Sequence, residues 1–364
     1  MPLLFLASGL VVASAAMLVR CLAIEDRLDR TLAVFTLSAA EVVVLLGVAG
    51  GLLGSLRRDV VLLLVVLVLL LASLAAARTR GGTAAYAADA ASGGRCARRR
   101  PDRWVVTLGV ACAVELVWSL AIVRLVPTYA YDALYYHLVS PAYWVQTGAL
   151  GPTPYTLWTN VYPKNAELLF TWLLLFPGRD ALVDLAQIAF AVAGALATAG
   201  LARSAGLRPV AAIAAGCLFY LTPIVFVQST TCYVDVIFAS SFLLGLHFVV
   251  RDGEIGRGNY AALAGISSGP LLGTKASGIA YAGLLGLTLA AGAAASVARG
   301  RRTAIRAAAA VVAFSLPALA LGAPWYLVSL RTYGNPLYPF TVGPTSRPWL
   351  AGMGSVRDLI LDPQ

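Results

Sequence analysis

The side chains best able to do chemistry gather in one polar stretch, Tyr129 to Glu167, YAYDALYYHLVSPAYWVQTGALGPTPYTLWTNVYPKNAE. A single acid, Asp132, stands there among Tyr129, Tyr131, Tyr135 and Tyr136, and His137 follows five residues on. Lys164, Asn165 and Glu167 close the stretch. A carboxylate at the edge of an apolar span stays ionised yet partly desolvated, which is what a general base needs. A solvated loop acid beside interfacial tyrosines has the same sequence signature. His137 fits metal ligation, proton transfer or a structural bond to a backbone carbonyl. On a helix, residues five apart share a face only loosely. Lys164 is a compact cation suited to a lipid phosphate, or a lysine snorkelling to headgroups.

Three later clusters add to this inventory. QSTTCYVDVIF puts Asp235 at the start of a helix, where the helix dipole favours an acid as a cap and where it could serve as a second carboxylate. LLGTKASG places Lys275 between two apolar runs, and a lysine at membrane depth is by default a functional hypothesis. APWYLVSLRTYGNPLYPF carries Arg331 ahead of a Gly-Asn-Pro turn, as a phosphate contact or a headgroup anchor. His247, Glu41 and Glu115 lie inside apolar runs and read as structural or as satisfied by neighbouring helices. Asp132, His137 and Asp235 could bind a divalent metal such as Mg or Mn, although no spacing is diagnostic.

The elements that must position these residues are membrane helices. The chain is 60% hydrophobic and 12% charged, with mean hydropathy +0.81, far more apolar than a soluble domain. Its apolar runs lack the period-two alternation of barrel strands. The net charge of +10, from 27 basic and 17 acidic residues, lies between the apolar runs and not in one aromatic-laced patch. That pattern favours membrane topology over nucleic-acid binding. The five cysteines form no C-x-x-C and read as unpaired core residues. The first apolar run has no basic residue before it, so it reads as a retained helix.

Apolar segments of about 17 to 25 residues, the length that crosses a bilayer, fall near residues 3–19, 32–53, 60–77, 104–125, 181–202, 210–227, 234–250, 260–273, 278–298 and 304–327. The expected fold is therefore an all-α polytopic membrane protein of about ten helices. A short run at 168–176 reads as interfacial or re-entrant. Arginines concentrate in 78–103, 203–208, 251–257 and 299–306, which places these loops in the cytoplasm. The polar clusters then share the extracytoplasmic face; Arg57 and Arg58 run against this rule. Residues 1–77 read as an N-terminal three-helix module, 78–103 as a flexible cytoplasmic linker, 104–340 as the core with loop 127–167, and 341–364 as an extracytoplasmic tail. No internal repeat argues for alternating access.

In the order of YDALYYHL, YPKNAELLF, YVD, GPLLGTKASG and APWYLVSLRTYGNPLYPF, the chain resembles the GT-C membrane glycosyltransferases. The likeness is to the branch around glycosyltransferase family 39 and the lipid A aminoarabinose transferases, over residues 104–340. The resemblance implies transfer of a sugar from a polyprenyl-phosphate carrier to an acceptor on the extracytoplasmic face of the inner membrane, with inversion. Carried over, Asp132 matches the general base and Asp235 the later acid, while Lys164 and Lys275 look like phosphate-holding cations. Tyr131, Tyr136, His137, Glu167 and Arg331 complete the expected substrate site. A transporter or flippase of a lipid-linked substrate and a non-catalytic assembly subunit are the competing readings.

Overall fold

The computed structural model describes residues 1–79, 102–178, 180–256, 258–342, 352 and 354–355. Most of the arginine linker and most of the C-terminal tail lie outside the described residues. The chain begins with α1 (Pro2–Cys21), α2 (Arg27–Leu46, continued as a π-helix over Gly47–Leu52), α3 (Arg58–Arg78) and α4 (Arg103–Leu125). Four shorter pieces follow: a π turn (Ala133–His137), α5 (Val139–Thr147), α6 (Trp158–Val161) and α7 (Asn165–Leu175). The remainder is α8 (Leu185–Ser204), α9 (Pro209–Tyr220), α10 (Pro223–Ser229), α11 (Asp235–Ile255), α12 (Asn259–Leu272), α13 (Gly278–Ala298) and α14 (Ala304–Tyr333). A two-residue parallel bridge, Phe340–Thr341 with Gly354–Ser355, is the only strand pairing among the described residues.

The chain is thus an all-helical integral membrane protein. Among the described residues eight helices, α1 to α4, α8, α11, α13 and α14, are long and apolar enough to cross a bilayer. The α9–α10 pair makes a ninth if counted as one span, although it bends by 55°. Pro223 causes the break, because its ring cannot donate an N–H to the preceding turn. The sequence reading counts about ten segments of spanning length. The segment expected near residue 260 is α12, whose 14 residues fall short of the roughly 20 that cross the hydrocarbon.

Helix α12 instead fills the centre, packed on α2, α11, α13 and α14. Gly265 and Gly269, one turn apart, let α14 approach closely. A Cβ at Gly265 would lie 2.1 Å from the Phe314 carbonyl oxygen, and one at Gly269 would lie 2.4 Å from the Leu321 Cβ. Such close backbone approach is how helices gain dispersion contact where there is little hydrophobic drive between them. The three leading helices do not stand apart from this bundle: α2 packs on α7, α8, α12 and α14, and Trp172 of α7 donates to Ser8 of α1 at 3.0 Å. Helix α4 is the least embedded span, with 6% of its apolar window buried.

Helix α7, the short run expected to be interfacial or re-entrant, does not cross. Its first residue meets Gly273 and its last carbonyl, Leu175 O, accepts from Arg58 Nε at 2.7 Å, so both ends lie at the loop-bearing end of the bundle. This accounts for the arginine that ran against the topology rule. Arg58 neutralises the carbonyl end of α7, where a cation is favoured, while Arg57 pairs with Asp59 at 3.0 Å.

At the opposite end, Asp29 of α2 is fully buried and accepts from His247 Nε2 at 2.9 Å, Arg251 Nε at 2.7 Å and the Tyr260 hydroxyl at 3.0 Å. One carboxylate thereby clamps α2, α11 and α12. His247 is structural, as its apolar setting led us to expect. Arg302, in the loop after α13, likewise binds Asp252 of α11 at 2.9 Å. The four described cysteines are unpaired.

Candidate functional site

After α4 the chain folds over the end of the bundle as a platform of short helices. The platform docks on the end of α2 and the loop that follows it by backbone bonds, Leu150 N to Gly50 O at 3.0 Å and Leu56 N to Gly148 O at 2.5 Å. Gly50 permits this contact, because a Cβ there would sit 2.7 Å from the Leu150 side chain. Internally, Asn160 bridges the Thr153 backbone in both directions at 2.8 and 2.9 Å, and Ser140 donates to the Thr159 carbonyl at 3.0 Å. The left-handed turn that ends α5 falls on Gly148, φ 76°.

Asp132 opens the π turn and is half-buried. The turn closes through Leu138 N to Ala133 O at 2.8 Å, a wider pitch than an α-helix, which brings residues five apart closer to one face. Asp132 lies beside the phenols of Tyr136 and Tyr162. Burial first, and then the Asp132 carboxylate, push both phenols above their ordinary value. Both hydroxyls stay protonated, and that of Tyr136 is within hydrogen-bonding reach of the carboxylate.

Behind this acid the sequence candidates meet as a buried set. His137 Nδ1 and Glu167 Oε1 are 2.7 Å apart, both side chains are buried, and the second carboxylate oxygen, Oε2, is buried without a hydrogen-bond partner. Lys164 is 5% exposed, and its Nζ lies 6.0 Å from the centre of the Trp144 ring. Burial pushes its ammonium down to about 8, against the pull of Glu167. None of the ion pairs among the described residues includes Lys164.

The adjacent Asn165 had no assigned part in the sequence reading, yet it locks this set to the bundle. Its Nδ2 donates to Gly269 O at 3.1 Å and Leu321 O at 2.9 Å, its Oδ1 accepts from Trp325 Nε1 at 2.8 Å, and its backbone N donates to Gly273 O at 2.7 Å. Trp325 stacks on Trp144 with centroids 6.2 Å apart. A fully buried amide where a polar stretch runs into an apolar helix is the signal that would have found it.

Asp235 and Lys275 do come together, but with each other: Nζ to Oδ1 is 2.5 Å, with side chains 38% and 44% exposed for lysine and aspartate. Gln187, fully buried, holds this corner by accepting from Ile237 N at 2.9 Å and donating to Tyr233 O. The Tyr326 hydroxyl donates to Leu272 O at 2.8 Å on the lysine side. The corner is tied to the platform by Asp184, whose two oxygens accept from Cys232 Sγ at 3.0 Å and Thr128 Oγ1 at 3.1 Å. Burial raises both the Asp184 carboxyl and the Cys232 thiol. Asp184, Gln187 and Cys232 gave no motif in the sequence.

Arg331 and Tyr131 are exposed, Arg331 in the last turn of α14 and Tyr131 beside Asp132. Among the described residues no hydrogen bond or ion pair joins Arg331 to the other candidates. The three candidate metal ligands do not form a ligand set as placed, because Lys275 engages Asp235 and Glu167 engages His137. Among the described residues no three His, Cys, Asp or Glu side chains cluster for a metal ion.

No protein-family model matches the chain, and no curated protein or solved structure shows significant similarity to it.

Proposed function

We propose that this membrane protein is a glycosyltransferase that moves a sugar from a polyprenyl-phosphate carrier to an acceptor hydroxyl on the extracytoplasmic face. The observation that carries the reading is Lys164, a buried ammonium with no carboxylate within ion-pair distance among the described residues, behind the half-buried Asp132. A cation held dry and unpaired is costly unless an anion completes it. A lipid phosphate is the anion that a membrane-embedded face supplies.

In this reading Asp132 takes the proton of the acceptor hydroxyl as its oxygen attacks the anomeric carbon. The bond from that carbon to the phosphate oxygen breaks, its electron pair leaves with the polyprenyl phosphate, and attack from the opposite face inverts the centre. Tyr136 and Tyr162 orient the carboxylate through their phenols. Lys164 balances the negative charge that grows on the leaving group, which is where preorganised charge lowers a barrier. Lys275 is engaged by Asp235, so the pair shapes the site's edge, and Lys164 carries the phosphate role that the sequence divided between two lysines.

The test is transfer of label from a panel of radiolabelled polyprenyl-phosphate sugars to a membrane extract by the purified, lipid-reconstituted protein. Asp132→Asn should lower transfer about 10²- to 10⁴-fold with the fold intact. Full activity in that variant would remove Asp132 as the base; no label moved from any donor by the wild-type protein would remove the transferase reading.

A further inference from the structure

We infer that the platform binds an uncharged oligosaccharide, and that in the proposed transfer the acceptor is a neutral glycan chain. The role as acceptor rests on the transferase reading; the binding does not.

The observation is a continuous chain of aromatic rings running out from Asp132. Tyr131 stacks on Tyr135 with centroids 5.3 Å apart and planes 18° apart, and Tyr135 meets Tyr136 edge-on at 6.3 Å. Tyr136 lies 5.7 Å from Tyr162, which stacks on Trp158 at 5.9 Å and 18°. The rings at the two outer ends are open, Tyr131 at 71% and Trp158 at 38% exposure, while Tyr136 and Tyr162 bracket Asp132 in the middle. Seven of the chain's 15 tyrosines fall between residues 129 and 162.

The charge of this surface selects its ligand. Between Arg124 and Lys164 the sequence holds no lysine or arginine, and its only acid is Asp132. A ring surface built for phosphate-bearing partners would interleave cations with its aromatics, and the aromatic belt of a membrane interface has Lys and Arg anchors close by. Within the stretch that carries the rings neither is present; the flanking cations are Arg124 and Lys164, and Lys164 is buried. Aromatic faces carry negative potential, which suits the weakly positive C–H face of a pyranose ring. The phenol hydroxyls and the Asp132 carboxylate at the ring edges match the sugar's rim of hydroxyls. A neutral glycan laid along the rings would present one hydroxyl to Asp132, with the donor phosphate at Lys164 on the buried side.

Saturation-transfer NMR tests this on the full chain in micelles, without donor, using neutral oligosaccharides of mannose, glucose or galactose, a serine/threonine-containing peptide and anionic-lipid vesicles as separate probes. Saturation should pass to protons of one oligosaccharide series. Tyr131→Ala and Trp158→Ala should weaken that binding about tenfold, and Tyr131→Phe and Trp158→Phe, which keep the ring, should retain most of it. Saturation of the peptide or the lipid alone, or of no probe, overturns the inference, as does unchanged sugar binding in the alanine variants. Transfer to a peptide or lipid without sugar binding would sink the glycan acceptor and leave the transferase standing. Sugar binding without transfer from any donor would do the reverse.

Discussion

The two ends of this bundle treat buried charge in opposite ways. At the end away from the platform, Asp29 is enclosed by His247, Arg251 and Tyr260, and Asp252 by Arg302. At the platform end, among the described residues, Lys164 is buried without an ion pair, one Glu167 oxygen has no partner, and Asp132 is half-buried among phenols. The first arrangement joins helices; the second leaves charge and hydrogen-bonding capacity unmatched, as the proposed site requires. The difference is what separates a structural ion cluster from a site, since both have polar residues at helix ends. One group blurs the line, His247 Nδ1, which is buried without a partner where it packs against Gly200.

The contrast breaks most visibly at Asp29. Asp29→Ala leaves Arg251 and His247 without their anion, and should cost about 3–5 kcal/mol, read as a large loss of folded protein and an early transition in denaturant-titrated micelles. A small change would mean that the closed cluster contributes nothing to holding α2, α11 and α12.

Lys164 should respond in the other direction. Its folded value of about 8 lies below the ordinary 10.5, so between those pH values the unfolded chain binds more protons and stability rises with pH. The penalty is complete below pH 8, where both states are charged. Lys164→Met should therefore stabilise the ligand-free protein by about 3 kcal/mol at neutral pH and flatten the rise. On the proposed transferase reading the same variant should lose transfer, and wild-type kcat/KM should fall as pH climbs through about 8. A variant no more stable than wild type would show that Lys164 already has its counter-charge.

The smallest effect belongs to the pair of intermediate character. Lys275 and Asp235 are each more than a third exposed, so a double-mutant cycle with Lys275→Met and Asp235→Asn should give a coupling below about 1 kcal/mol. A value of several kcal/mol would move this corner into the class of the Asp29 cluster.

The membrane helices were largely legible because length and apolarity are local properties. The segment read as 278–298 matches α13 residue for residue. Most of what stayed hidden needed partners; the bend at Pro223 is the exception. Pro223 split the run read as 210–227, a break the proline itself announced. The Arg58 conflict dissolved only with the Leu175 carbonyl, 117 residues away in sequence. In the site, the residue types in the polar stretch drew attention to Asp132, His137, Lys164 and Glu167. Their pairing was hidden, because His137 and Glu167 are 30 positions apart and meet through a π turn that α-helical spacing does not anticipate. Lys275 and Asp235 looked like two functional charges until 40 positions of chain brought them together.

Asn165 and Gly273 constrain each other's substitutions. A Cβ at Gly273 would lie 2.0 Å from the Asn165 Nδ2, and any smaller residue at 165 would leave the Gly269 and Leu321 carbonyls and the Trp325 indole without the amide that joins them. Neither position can drift alone, yet a glycine lost at 273 could be tolerated in a background where 165 had already shrunk. The two should therefore change together across descendants of this chain, a covarying pair separated by 108 positions whose coupling has nothing to do with the reaction and would be easy to mistake for it.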